Sequence, residues 1–128
     1  MQPINPDGWP RPSGYSNGIL AEGRILFIAG QIGWDASGVF ASNAFIDQAK
    51  QALQNVADVL SAAGGSPEQL ARMTWYVTNK EEYRAMLPEL GKAYREIFGN
   101  VFPAMTLVVV AALLEDRAKV EIEATAVL

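Results

Sequence analysis

Apolar and polar positions change their period several times along this chain, and each period predicts an element. Phe45, Ala49, Ala52, Leu53, Val56, Val59, Leu60 and Ala63 recur at helical spacing, with Ser42 upstream as a cap and Gly64-Gly65 as the stop. A second helix is expected from a cap at Asn79 through Glu81, Tyr83, Met86, Leu90, Tyr94 and Phe98. Pro88 removes a backbone donor inside it and should kink or restart it, and Gly99-Asn100 ends it. Between the helices, Pro67-Glu68 start a short turn. Ala71 to Asn79 follows as a strand rich in aromatic and β-branched residues.

Elsewhere the period is two. In the final segment, Lys119 to Val127, residues Val120, Ile122, Ala124 and Ala126 share one face while Glu121, Glu123 and Thr125 share the other. Met105 to Leu113 is apolar on both faces, and the polar stretch Leu114 to Ala118 predicts a hairpin joining it to the final strand. Nearer the start, two apolar runs split by Glu22-Gly23 predict another hairpin. Its second run, Arg24 to Gly30, puts Leu26 and Ile28 on one face and Ile25, Phe27 and Ala29 on the other, so both faces are expected to be buried. The first eighteen residues hold four prolines and three glycines and read as an ordered arm or loop. The resulting order is β-β-α-β-α-β-β, a mixed sheet with two helices on one face, in the α+β class.

Two helices cover only one face of such a sheet. An open second face with apolar strands on it would be an exposed patch of the kind that marks an interface. The pattern therefore predicts a closed homo-oligomer in which that face packs on other copies. A loop or the N-terminal arm is the other way to cover it.

Composition narrows the chemistry. The 128 residues form one domain, residues 1–128, large enough to bury roughly two thirds of the surface an unfolded chain of this size exposes. Half of the residues are apolar, 19% are charged and the net charge is −4. Ten basic residues scattered among fourteen acidic ones make no phosphate-binding stripe, so no nucleic-acid partner is expected. The chain has no cysteine and no histidine, which excludes disulfides, thiolate nucleophiles, imidazole bases and the usual zinc sites. Any chemistry must use carboxylates, hydroxyls, Lys, Arg or backbone groups. No basic lead-in to an apolar run marks a signal peptide at the start, and no apolar stretch approaches the length of a membrane span, so a cytoplasmic location is expected.

Three segments carry a family resemblance: "SGYSNG" near the start, "LFIAGQIG" at a strand end, and "FPAMTLVVVAALLEDRAKVEIEATAV" at the C-terminus. Together they resemble the RidA/YjgF family of small trimeric proteins, and the C-terminal segment is the specific part. The resemblance implies a chorismate-mutase-like α+β fold assembling as a homotrimer, with small-molecule clefts between neighbouring subunits. It also implies hydrolysis of reactive enamines and imines, typified by 2-imino acids, to a carbonyl compound and ammonia, with no metal or organic cofactor.

By matched position, the resemblance makes Tyr15 the cleft tyrosine, Gly30 the strand-end glycine beside the substrate, and Glu121 the acid that holds the attacking water. Met105 stands where the family has its carboxylate-binding arginine, with Thr106 beside it as a further binding candidate. Ala29 stands where serine is common and Leu107 where cysteine is frequent. Trp34, just past the strand end, is a candidate wall of the cleft, and Glu123 is expected to be structural or paired with a base such as Lys119.

Without a guanidinium at residue 105, a carboxylate loses a charged hydrogen bond contributing about 1.5–3 kcal/mol, roughly 10- to 150-fold in affinity. A typical 2-imino acid is therefore not the expected substrate. Two readings follow: an enamine or imine hydrolase whose substrate is less acidic, larger or anchored elsewhere, and a non-catalytic trimer binding a small metabolite in the same cleft. Ribonuclease activity is set aside because the chain is acidic and lacks histidine.

Overall fold

A computed structural model describes all residues, 1–128. The 18-residue helix α1 (Phe45–Ala62) buries Phe45, Gln48, Ala49, Ala52, Leu53, Val56 and Leu60, the stripe that helical spacing predicts. Val59, expected on that stripe, is exposed. Ser42 is not the cap. The N-cap residue is Ala44, and the Ser42 hydroxyl sits two residues earlier, accepting from the Ala44 amide and donating to Asp47. The second helical segment is broken as Pro88 predicts: α2 (Lys80–Ala85) is capped by the Asn79 side chain, which accepts from the Glu82 amide, and α3 (Leu87–Phe98) restarts after Met86 with the proline in its first turn.

Around these helices the strands are β1 (Gln2–Ile4), β2 (Gly18–Leu20), β3 (Ile25–Gln31), β4 (Leu70–Val77), β5 (Ala104–Val109) and β6 (Val120–Val127). The main sheet has the order β3-β6-β4-β5, with β4 and β5 parallel and the other pairs antiparallel. Both expected hairpins are absent as pairings. β5 and β6 follow one another in sequence, yet β4 lies between them. β2 pairs with β1 instead of β3. Gly23 explains the second case: a side chain there would collide with the carbonyl of Leu128, to which Arg24 is joined by hydrogen bonds of 2.8 and 2.7 Å in the two directions. The run after Glu22-Gly23 is thus directed to the C-terminal strand.

Both helical segments lie on one face of the sheet. There Ile28, Met73, Trp75, Val77, Val120, Ile122, Ala124 and Ala126 pack on Leu53, Val56, Leu60, Leu90 and Phe98 in one core. Each fully buried leucine of this kind contributes about 1.5–3 kcal/mol relative to exposure. The other face carries Ile25, Phe27 and Val108 in the open, with Phe27 77% exposed. The expectation that both faces of Arg24–Gly30 are buried therefore fails within one chain. This is an α+β mixed sheet with its helices on one side.

Candidate functional site

The alternation of β6 decides which candidates can meet. Glu121 pairs across the sheet with Tyr76, and Glu123 with Thr74, so both carboxylates stand on the face without helices. On the other side of β6, the β3 ladder slips: Ile28 pairs with Ala124 but Gln31 with Ile122, which inserts one extra residue at Ala29-Gly30. The Gln31 side chain spans the slip by donating to the Ala29 carbonyl at 3.0 Å. This bulge brings the Gly30 backbone against Glu121. A Cβ on Gly30 would stand 2.7 Å from Glu121 Cδ and 2.9 Å from Cγ, and closer still to Oε2. Glycine is present here because the carboxylate occupies the space.

The two carboxylates differ in their partners. Tyr76 donates its hydroxyl to Glu123 Oε1 at 2.6 Å, and that hydrogen bond, with burial and the neighbouring carboxylates, holds the Tyr76 phenol above its ordinary pKa. Glu123 is therefore not paired with Lys119, whose ammonium lies 3.6 Å from Glu82. Glu121 takes part in neither of the chain's ion pairs and keeps its carboxylate against the bare Gly30 backbone.

Met105 and Leu107 lie on the opposite face. In the parallel β4–β5 register they pair with Met73 and Trp75, the core-facing residues of β4. Together with Tyr15, Trp75, Leu90 and Phe102 they line a mostly apolar cavity of about 510 Å³ between the sheet, α2–α3 and the N-terminal arm. Tyr15 reaches it because Ser16 is fastened to the segment before β5: its amide donates to Pro103 O at 3.0 Å and its hydroxyl to Phe102 O at 2.6 Å. Nothing in the local pattern of the arm announces that attachment.

Within one chain the candidates thus fall into two groups, Tyr15, Met105 and Leu107 on the helix side and Gly30 and Glu121 on the open side. Thr106, paired with Thr74, faces the open side and is exposed. Trp34 belongs to neither group. Its ring lies 6.0 Å from that of Phe40 in the loop after β3, and its carbonyl accepts from Asn55 at 2.9 Å. Arg117, a base beside this loop, is held by Asn43 and stacked over Phe40. No group of three or more acidic residues is placed to hold a metal ion, and no helix is long and apolar enough to cross a membrane.

Known proteins resemble this chain over nearly its whole length. The family model described as endoribonuclease L-PSP matches residues 10–128. A 2-iminobutanoate/2-iminopropanoate deaminase of Capra hircus is 35% identical over 114 residues, covering 88% of this chain and 79% of the relative. Among solved structures, YyfB of Yersinia pestis, a Rid family protein of unknown function, superposes with a TM-score of 0.82 at 33% identity, covering 99% of this chain and 98% of its own. TdcF of E. coli, crystallised with bound serine, superposes with a TM-score of 0.72 at 30% identity and covers 100% of this chain and 99% of its own.

Proposed function

The chain belongs to the endoribonuclease L-PSP family, which is the RidA/YjgF family, and from that premise we propose that it is an enamine/imine deaminase in which Glu121 holds the hydrolytic water. The observation that carries this reading is the Glu121 carboxylate lying against Gly30, with Glu123 occupied by Tyr76. It leaves one carboxylate available beside a stretch of backbone that a substrate can approach closely.

The chemistry asks little more. Water held by Glu121 adds to the imine carbon, forming a C–O bond as the C=N π pair moves to nitrogen. Glu121 takes the proton from the water and returns it to nitrogen. Glu121 then carries the carbinolamine hydroxyl proton to nitrogen, the oxygen lone pair closes the carbonyl as the C–N bond breaks, and ammonia leaves, so an imine and water become a carbonyl compound and ammonia. General acid–base help of this kind is worth about 10²–10⁴-fold in rate. An enamine enters the same path after protonation on carbon.

The split of the candidates between two sheet faces supports a homotrimer with the site between subunits: one copy's Glu121 and another copy's Tyr15 and Met105 can face a common cleft, which one chain alone cannot build. With Met105, Leu107 and Tyr15 as its walls, the cleft favours a substrate larger than a small 2-imino acid and anchored elsewhere than at residue 105. Ammonia release from a panel of imines generated in situ tests the reading. Turnover above the uncatalysed rate is expected, and ligand binding with no turnover across the panel would instead establish a non-catalytic metabolite-binding trimer.

A further inference from the structure

The cavity beneath Met105 holds polar groups that nothing in the chain engages. Trp75 is 5% exposed, and its indole Nε1–H is buried without an acceptor. A donor left so gives up the hydrogen bond it makes to water in the unfolded chain, and such groups are rare in folded proteins. The Tyr83 ring, edge-on to Trp75 at 6.3 Å, keeps the indole in place. On the α3 wall of the same cavity stands Arg95, which takes part in neither of the chain's ion pairs. Its guanidinium is folded back over Gly91, where an added Cβ would stand 3.2 Å from Nη1. Glycine is unfavourable in mid-helix, and here it leaves room for the guanidinium to lie along the cavity.

An apolar chamber with two unengaged donors, one buried and one cationic, has the composition of a small-molecule pocket. We propose that this cavity anchors a carboxylic acid with an aromatic or branched apolar body, the body lying on Met105, Leu107, Leu90 and the Trp75 ring, and the carboxylate on Arg95. The proposal rests on the deaminase reading for its consequence: the substrate is the imine or enamine of a bulky apolar acid, held by a cation from α3 where β5 offers methionine. A guanidinium forms two parallel bonds with a carboxylate, which an ammonium or a neutral donor does not match.

Calorimetry with phenylpyruvate, the 2-oxo acid product of one such imine, tests the pocket on the full chain. Saturable binding is expected, with the affinity falling about 10- to 150-fold in Arg95→Gln and partly restored in Arg95→Lys. Pyruvate, which lacks the apolar body, should bind more weakly. The neutral ketone phenylacetone should bind wild type and Arg95→Gln alike. In the NMR spectrum, the Trp75 indole N–H signal should move on adding phenylpyruvate. It is identified by its loss in Trp75→Phe or, if that variant does not fold, by elimination with Trp9→Phe and Trp34→Phe. No saturable binding, equal affinity in Arg95→Gln, or an unmoved Trp75 signal overturns the pocket even if imines are hydrolysed. Arg95-dependent binding without turnover of any imine leaves the pocket standing and removes the deaminase reading.

Discussion

The carboxylate of Glu121 fills the space that a side chain at Gly30 would need. With 2.7 Å from a Cβ there to Glu121 Cδ, residue 30 can carry a side chain only if the carboxylate or the β3 bulge moves. Two positions ninety-one residues apart are thereby made into one unit, and the unit is open to solvent on the sheet face without helices.

Gly30→Ala should therefore lower imine hydrolysis as Glu121 is displaced, while the thermal midpoint falls by only a few degrees because the clash involves the end of a side chain. Glu121→Gln should cost about 10²–10⁴-fold in kcat and leave the assembly intact. Wild-type kcat in Glu121→Gln would show that another group holds the water.

Much of the fold is readable in the residue pattern, and the exceptions share a cause. The α1 stripe, the Asn79 cap, the restart at Pro88 and the two-faced alternation of β6 are local properties, set within a few residues. The pairing of strands is not. β5 crosses over α2 and α3 to lie parallel to β4, and β3 joins β6 from the far end of the chain, so neighbours in sequence are not neighbours in the sheet. Expecting hairpins at Glu22-Gly23 and Leu114–Ala118 amounts to assuming that they are. The same limit applies to the site. Tyr15, Gly30, Met105 and Glu121 are candidates through the resemblance of their sequence segments, whereas Trp75 and Arg95 become cavity residues only once α3 is folded over the sheet. One signal was available for Arg95: a glycine four residues earlier on the same helical face.

Stability should fall at high pH through tyrosines. Burial raises the Tyr83 and Tyr94 pKa values, and the hydrogen bond to Glu123 raises that of Tyr76. Each folded pKa lies above the unfolded value near 10, so the folded state holds more protons once the unfolded tyrosines ionise. Their stabilising contribution is complete below pH 10 and is lost as pH rises above it. The urea midpoint should thus be insensitive to these groups from pH 6 to 9 and decline above 10. The decline should be shallower in Tyr76→Phe, and equal slopes in the two proteins would place the Tyr76 proton elsewhere than on the Glu123 bond.

Met105→Arg should place a guanidinium on β5 inside the same cavity as Tyr15 and Leu107. For imines of small amino acids, kcat/KM is expected to rise by about 10- to 150-fold, the worth of one charged hydrogen bond. If small imines react no better, residue 105 does not contact the substrate's carboxylate.

Assembly is the condition on which the shared cleft depends. Phe27 is 77% exposed on the open face, with Ile25 exposed on the same strand and Val108 exposed on the same face at the far edge strand β5, and no helix of the chain covers them. Burying a phenylalanine side chain contributes about 1.5–3 kcal/mol, and a closed ring of three copies gains that at each of its equivalent interfaces. Light scattering should therefore give the mass of three chains of 13.9 kDa. Phe27→Asp places a charge where the interface is apolar and should shift the protein toward monomer. Because Glu121 and Met105 stand on opposite faces of one chain's sheet, that monomer should also lose imine hydrolysis even though every site residue is still present. A wild-type monomer with full activity would mean that one face of one chain completes the site, and the pairing of Glu121 with a neighbour's Tyr15 and Met105 would have to be abandoned.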